Sequence, residues 1–174
     1  MRARLFLAIT GLLLTAPAIS AERWREYTYP DDGFSASFPG KPVFAERLYR
    51  TSQSPTGAVP ERIYSYNKGG VIYSVSITDF SKVDADPDIV VDEVASVLMG
   101  LGTLAFYDSI YLDSMHGREL VVIGGDGTRY TDANFYVKQL LYQVKVVYPA
   151  VNSDPAGSSG ISIFLTQFHF TNPF

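Results

Sequence analysis

Along most of the chain, apolar and polar positions alternate with a period of two, and one stretch switches to a helical period. "WREYTY" (24–29) and "FSASF" (34–38) flank "PDDG". Aromatic and β-branched residues on both sides of an Asp-Gly pair predict a hairpin. "PGKP" (39–42) breaks the second strand, and "VFAERLYRT" predicts another. "QSPTGAVP" (53–60) has the composition of a loop. "ERIYSYN" and "VIYSVSITDF" then flank a "KGG" turn. In the second of these, Val71, Tyr73, Val75 and Ile77 point one way, and Ser74, Ser76 and Thr78 point the other. That alternation predicts one buried face and one wetter face.

The period changes in "DADPDIVVDEVASVLMGLG", where Val90, Val94, Val97, Leu98 and Leu101 recur at helical spacing. Asp86 suits the N-cap, Pro87 the first helical position and Asp88 the first turn. Gly102 suits a left-handed end. Strands resume with "TLAFYDSIYL", "RELVVIGG", "TRYTDANFYV" and "LLYQVKVVYP", with Lys138-Gln139 as a tight turn between the last two. Ile161, Phe164, Leu165 and Phe168 again fit a helix, predicted from about Ser158 to Gln167. Strand runs joined to amphipathic helices predict an α+β domain, an antiparallel sheet sandwiched by helices.

The N-terminus stands apart from this domain. A basic "MRAR", an apolar "LFLAITGLLLT" and the small residues of "APAISA" form a signal-peptide pattern. Cleavage is expected between Ala18 and Ala21, leaving a single domain over 22–174 with no stable membrane span. The competing reading is a retained anchor, which Pro17 and the small residues after it disfavour. The chain has no Cys, which excludes disulfides, thiolate metal sites and a Cys nucleophile. Roughly 150 mature residues can bury enough apolar surface without such staples. Removing Arg2 and Arg4 from the 14 basic residues leaves 12 against 18 acidic ones, a net charge of −6. No basic tract survives cleavage, which argues against a nucleic-acid partner.

"ELVVIGGDGTRYTDANFYV" (119–137) raises the question of a phosphate loop. Such a loop needs a helix N-terminus after its glycines, so that backbone N–H groups and the helix dipole hold the anion. Here an alternating, β-branched and aromatic strand follows instead. The Lys-Ser/Thr pair of a Walker loop and the third glycine of a dinucleotide fingerprint are missing. Asp126-Gly127 is a hairpin turn pair, and no nucleotide or other cofactor is expected.

The order of these elements is familiar. "FSASFPGKP" after an aromatic strand, "GREL" opening a strand after the helix, "LLYQVKVVYP" and a terminal "FLTQFHF" resemble the PsbP-like group of exported bacterial proteins, including periplasmic proteins of the DcrB kind. The resemblance covers nearly all of the mature chain. It implies a PsbP-like α/β/α sandwich and a non-enzymatic accessory, assembly or chaperone-like binding role. No residue of this chain matches a particular member's binding motif, so the resemblance transfers no site. The C-terminal helix is shorter and richer in Gly and Ser than is usual in the group.

Candidate chemistry is sparse. Asp84, Asp86 and Asp88 alternate like the start of a Ca²⁺ loop, but the sixth and twelfth positions are Ile89 and Ala95 rather than Gly and Glu. No metal site is expected. His116, in "DSMHGRE", reads as a turn residue, and no G-x-S-x-G elbow surrounds any Ser. His169 reads as a packing residue between Phe168 and Phe170. Arg118, Asp126, Arg129 and Asp132 bracket the 119–130 hairpin, as cross-strand ion pairs or as a site for an anionic group. The chain has 12 Tyr and 11 Phe, much of which suits the core. Tyr64, Tyr66 and Tyr73 lie on neighbouring strands and could line a groove bordered by the 53–60 loop. With Arg118 and Arg129 they form the candidate binding set. The expected partner is another periplasmic or envelope protein or a peptide. The alternatives are a small-molecule binder and a hydrolase using His116.

Overall fold

A computed structural model describes residues 24–150 and 163–171. The predicted signal segment, and the part of the predicted terminal helix before residue 163, lie outside the described residues. The chain forms β1 (Arg25–Tyr29), a 3₁₀ turn (Pro30–Asp32), β2 (Phe34–Phe38), β3 (Val43–Arg50), β4 (Ala58–Lys68) and β5 (Val71–Asp79). Then come helix α1 (Pro87–Met99), β6 (Gly102–Leu112), β7 (Met115–Gly124), β8 (Arg129–Val137), β9 (Leu140–Tyr148) and β10 (Phe168–Phe170). All pairings are antiparallel. Seven strands form the main sheet in the order β3-β4-β5-β9-β8-β7-β6, and β1-β2-β10 form a small one.

Turn chemistry explains most of the register. Asp113 and Ser114, and again Lys138 and Gln139, have positive φ at both positions, the form of a two-residue turn that follows strand twist. The "GGDG" segment is a hairpin. Gly127 donates to the Gly124 carbonyl at φ +81°, and Asp126 accepts from the Thr128 amide.

The two faces of the main sheet are covered differently. On one, Tyr73, Val75, Ile77, Phe135, Tyr142 and Val144 pack against Phe34, Phe38, Phe164 and Phe168 of the small sheet and the adjoining helical turn at 163–166. On the other, Leu120, Val122 and Leu141 pack against Val90, Val94, Ala95 and Leu98 of α1. The expected sandwich of a sheet between helices is therefore wrong. The protein is mostly β-structure, with a second sheet where a helical layer was predicted. "FHF" causes the difference: Phe168 and Phe170 pair with Ala36 and Phe34 as a strand. His169, between them, points outward and is exposed, 3.7 Å from the Asp113 carboxylate, rather than packed.

Further details differ from the pattern reading. Ser76 and Thr78 are buried rather than wet: they lie on the α1 side of the sheet, between Ile63 and Glu61 of β4 and Gln143 and Leu141 of β9. Positions 58–60 belong to β4 rather than to the loop. Asp86 does cap α1, accepting from the Asp88 and Ile89 amides. The helix ends at Gly100 in a right-handed conformation, and Gly102 already belongs to β6, where a Cβ would meet the Ile123 carbonyl at 2.1 Å. The buried face of α1 is Val90, Val94, Ala95 and Leu98, while Val97 is 67% exposed and Leu101 is also exposed.

This rotation of the helix gives a direct test. Val94→Asp buries an unpaired carboxylate and should cost several kcal/mol, roughly the size of a lost core position. Val97→Asp should change stability by no more than about 0.5 kcal/mol. Urea unfolding of both variants checks the assignment, and equal losses would contradict it.

Candidate functional site

The predicted tyrosines are parts of the core clasp. Tyr73 is buried edge-on between Trp24 and Phe164, at ring separations of 5.2 and 5.4 Å. Tyr66 lies opposite Tyr73 and packs so closely on Gly40 that any Cβ there would sit 2.5 Å from its ring. The Tyr64 ring packs at a tilt on Tyr29, with centres 4.0 Å apart, and its hydroxyl donates to Asp32. Burial raises its pKa, and the hydrogen bond to the Asp32 carboxylate raises it further. Asp32 also accepts from Arg62 Nε, and its carbonyl accepts from Tyr142 Oη at 3.0 Å. One acidic turn residue thus ties the small sheet to β4 and β9, a role that the hairpin reading of "PDDG" did not include. The 51–57 loop lies on the opposite face, away from these tyrosines. Glu93 of α1 accepts there from Thr51 Oγ1 (2.6 Å), the Ser52 amide (2.9 Å) and Ser52 Oγ. Burial pushes Glu93 up, but these hydrogen bonds together outweigh it and lower its pKa.

Arg118 and Arg129 do not form one cluster. Register places Arg118 beside Ser109 and Asn134 on the α1 face, while Arg129 pairs with Ile123 on the other face. Asp132 is fully buried on the α1 side, with Lys145 Nζ at 3.3 Å and Gln143 Nε2 at 2.9 Å on one oxygen. Its other oxygen, Thr78 Oγ1 and both amide atoms of Asn134 have no hydrogen-bond partner among the described residues. With Glu61, which binds Arg47, they form a buried polar layer on the α1 side of the sheet.

Both edges of the main sheet, β3 and β6, are exposed. β6 is exposed along nearly its whole length and presents Leu104, Phe106, Tyr107 and Tyr111 to solvent. A bulge between Leu104 and Phe106 leaves 106–112 in regular register with β7. On the α1 side, the Arg118 guanidinium lies 5.7 Å from the Tyr107 ring centre and donates to Ser109 Oγ at 3.1 Å. Tyr111 lies 5.1 Å from the His116 ring. His116 is therefore a β7 strand residue, not a turn residue. Beside it, a cleft of about 470 Å³ is lined by Asp88 and Asp92 of α1, His116, Arg118 and Tyr136. No described residue hydrogen-bonds His116, and no Ser or Thr lines this cleft, so no nucleophile–base pair is assembled there. No group of three or more His, Asp or Glu among the described residues could hold a metal ion. No described helix is long and apolar enough to cross a membrane.

No family model matches the chain, and no curated protein matches its sequence. Among solved structures, the chain is similar to cyanobacterial PsbP (CyanoP) from Synechocystis sp. PCC 6803, determined in solution. That likeness has a TM-score of 0.55 at 15% identity, and covers 92% of this chain and 99% of the other. It shows a PsbP-like fold.

The buried polar layer gives a pH prediction. Burial, the largest influence, raises the pKa of Asp132 against the pull of Lys145 and Gln143. The folded chain then holds a proton that the unfolded chain releases near pH ~4. The stability linked to Asp132 is full below that pH and is lost as pH rises through the raised folded value. In urea unfolding from pH 4 to 7, wild type should lose stability relative to Asp132→Asn as pH rises. A constant difference would mean that the ionised pair with Lys145 dominates.

Proposed function

We propose that the mature chain is an exported, non-enzymatic binding protein that holds an extended segment of another polypeptide along β6. The observation that carries this reading is an edge strand that has no outer partner among the described residues and carries apolar side chains on both of its faces. An edge strand offers main-chain donors and acceptors that only another extended chain satisfies in series. Exposed apolar residues on alternate sides supply the pockets that select side chains. The opposite edge differs: β3 follows Pro42 and interleaves Glu46, Arg47 and Arg50 with its apolar residues. Charges of that kind discourage strand addition. β6 carries one charge, Asp108.

The geometry of β6 also says which donors face outward. The Ser109 amide donates to Asp108 Oδ1 rather than to β7. By strand alternation the Tyr107 and Tyr111 amides share its direction. Export is supported by the N-terminal segment, and the finer likeness to periplasmic proteins of the DcrB kind by the order of elements. The hydrolase alternative keeps one supporting observation, the cleft that holds His116 beside two carboxylates and Tyr136.

Two experiments test the reading. Peptides selected from a displayed random library should alternate apolar residues and bind the purified mature chain. Ser109→Pro removes an outward donor and should weaken them by roughly tenfold or more, with the unfolding midpoint unchanged. Failure to select peptides, or equal binding by the proline variant, would contradict strand addition. His116→Ala should change stability by no more than about 0.5 kcal/mol and should complement a deletion strain at matched abundance. A general base at that position would instead lose roughly 10²–10⁴-fold in rate, and complementation would fail.

A further inference from the structure

On the face opposite the cleft, a cavity of about 210 Å³ lies between the main sheet and the C-terminal segment. Ile110, Leu112, Phe135, Leu165 and Phe168 form apolar walls. Glu119 is the only charged residue in the lining. It is half-buried, and no described residue hydrogen-bonds its carboxylate. Directly across from it, on the same side of the sheet, stands Asp108 of β6. We propose that this cavity binds a small apolar cation, an alkyl- or arylammonium, with its charge on Glu119 and its hydrocarbon part against the aromatic walls. This site lies on the other face from the α1 cleft and does not depend on strand addition at β6.

Three features select that chemistry. A carboxylate in an apolar wall is costly until a positive charge and a hydrogen-bond donor meet it. An ammonium supplies both, whereas an anion would face Glu119 and Asp108 together. The rings of Phe135 and Phe168 are nearly parallel with centres 6.4 Å apart, a rigid apolar surface against which the hydrocarbon part of the ligand can pack. The volume equals the liquid share of roughly seven waters, which suits a ligand of phenethylamine size.

The charges around Glu119 set the pH response. Burial raises its pKa, and Arg129, further along β8, pulls the other way. Asp108 faces it from β6, and Ala133 of β8 brings no charge. The C-terminal segment contributes Leu165, Thr166 and Phe168 to the cavity, and its nearest ionisable group, His169, sits outside with Asp113. Cation binding needs Glu119 ionised, so it weakens as pH falls through the raised value.

The test is calorimetric titration of the mature chain with phenethylammonium, alongside 2-phenylethanol as a neutral isostere and 3-phenylpropionate as an anion. Saturable binding of the cation is expected, tighter than the alcohol, with no binding of the anion. Glu119→Gln should weaken the cation by roughly tenfold, about 1.4 kcal/mol, and leave the alcohol nearly unchanged. Shifts of the Phe135 and Phe168 ring resonances on titration should place the ligand in the cavity. Ser109→Pro should leave this binding intact. Absence of saturable binding, equal affinity for alcohol and cation, or an unaffected Glu119→Gln variant would each overturn the proposal.

Discussion

The pairing of β5 with β9 is the interaction on which the rest of the structure depends. It runs antiparallel from Ile72 opposite Val147 to Asp79 opposite Leu140. Every other junction in the main sheet joins strands that follow one another in the chain. Without this one, β3–β5 and β6–β9 would be two separate meanders, each with a face too small to bury. With it, Val75 and Ile77 continue the apolar surface of Tyr142 and Val144, and the small sheet covers the seam. Asp32 fastens that cover by accepting from Arg62 and Tyr64 on β4, while its carbonyl accepts from Tyr142 on β9. The contact spans more than sixty residues of chain, the kind of closure that folds late and raises contact order.

The two faces of the completed sheet have different chemistry, and this decides where ligands can reach. The face under the small sheet is aromatic. The face under α1 carries a buried polar layer around Asp132, Glu61, Thr78 and Asn134. The cluster under α1 includes no residue of β6, and most of that strand stays exposed. That shortfall exposes Tyr107 and Tyr111 and leaves Arg118 and His116 at the surface with them. Available chemistry therefore gathers at the β6 end, on both sides of the same strand.

Much of the local structure was legible in the sequence because it depends on local rules. The alternation of Val71, Tyr73, Val75 and Ile77, the Lys138-Gln139 turn and the Asp86 cap need no knowledge of distant residues. The misreadings share a non-local cause. Phe168 fits both the helical spacing of Phe164 and the strand spacing of Phe170, and only pairing with β2 selects the strand. Val97 and Ala95 both suit a core-facing helix. The sheet accepts the smaller residue and turns the larger one outward. Ser76 and Thr78 look solvent-facing by alternation, and only the assembled sheet shows them buried between β4 and β9 on the α1 side. Tyr64 looked free for a ligand because its partner, Asp32, is thirty-two residues away. Arg118 and Arg129 looked clustered because faces cannot be assigned until the hairpin register is known. Glu119, Asp108, Tyr107 and Tyr111 escaped notice for the same reason, since their importance comes from an edge position that no single strand records.

The central claim is that the sheet has a closed middle and, at β6, an edge open to strand addition. Residue-resolved amide hydrogen exchange on the free mature chain tests it most directly. The Tyr107 and Tyr111 amides, which face away from β7, should exchange at nearly unprotected rates, while the paired amides of β5 and β9 should be protected to the level of global unfolding. Protection of Tyr107 and Tyr111 comparable to that of the central strands would show that the edge is already occupied, and would contradict the account.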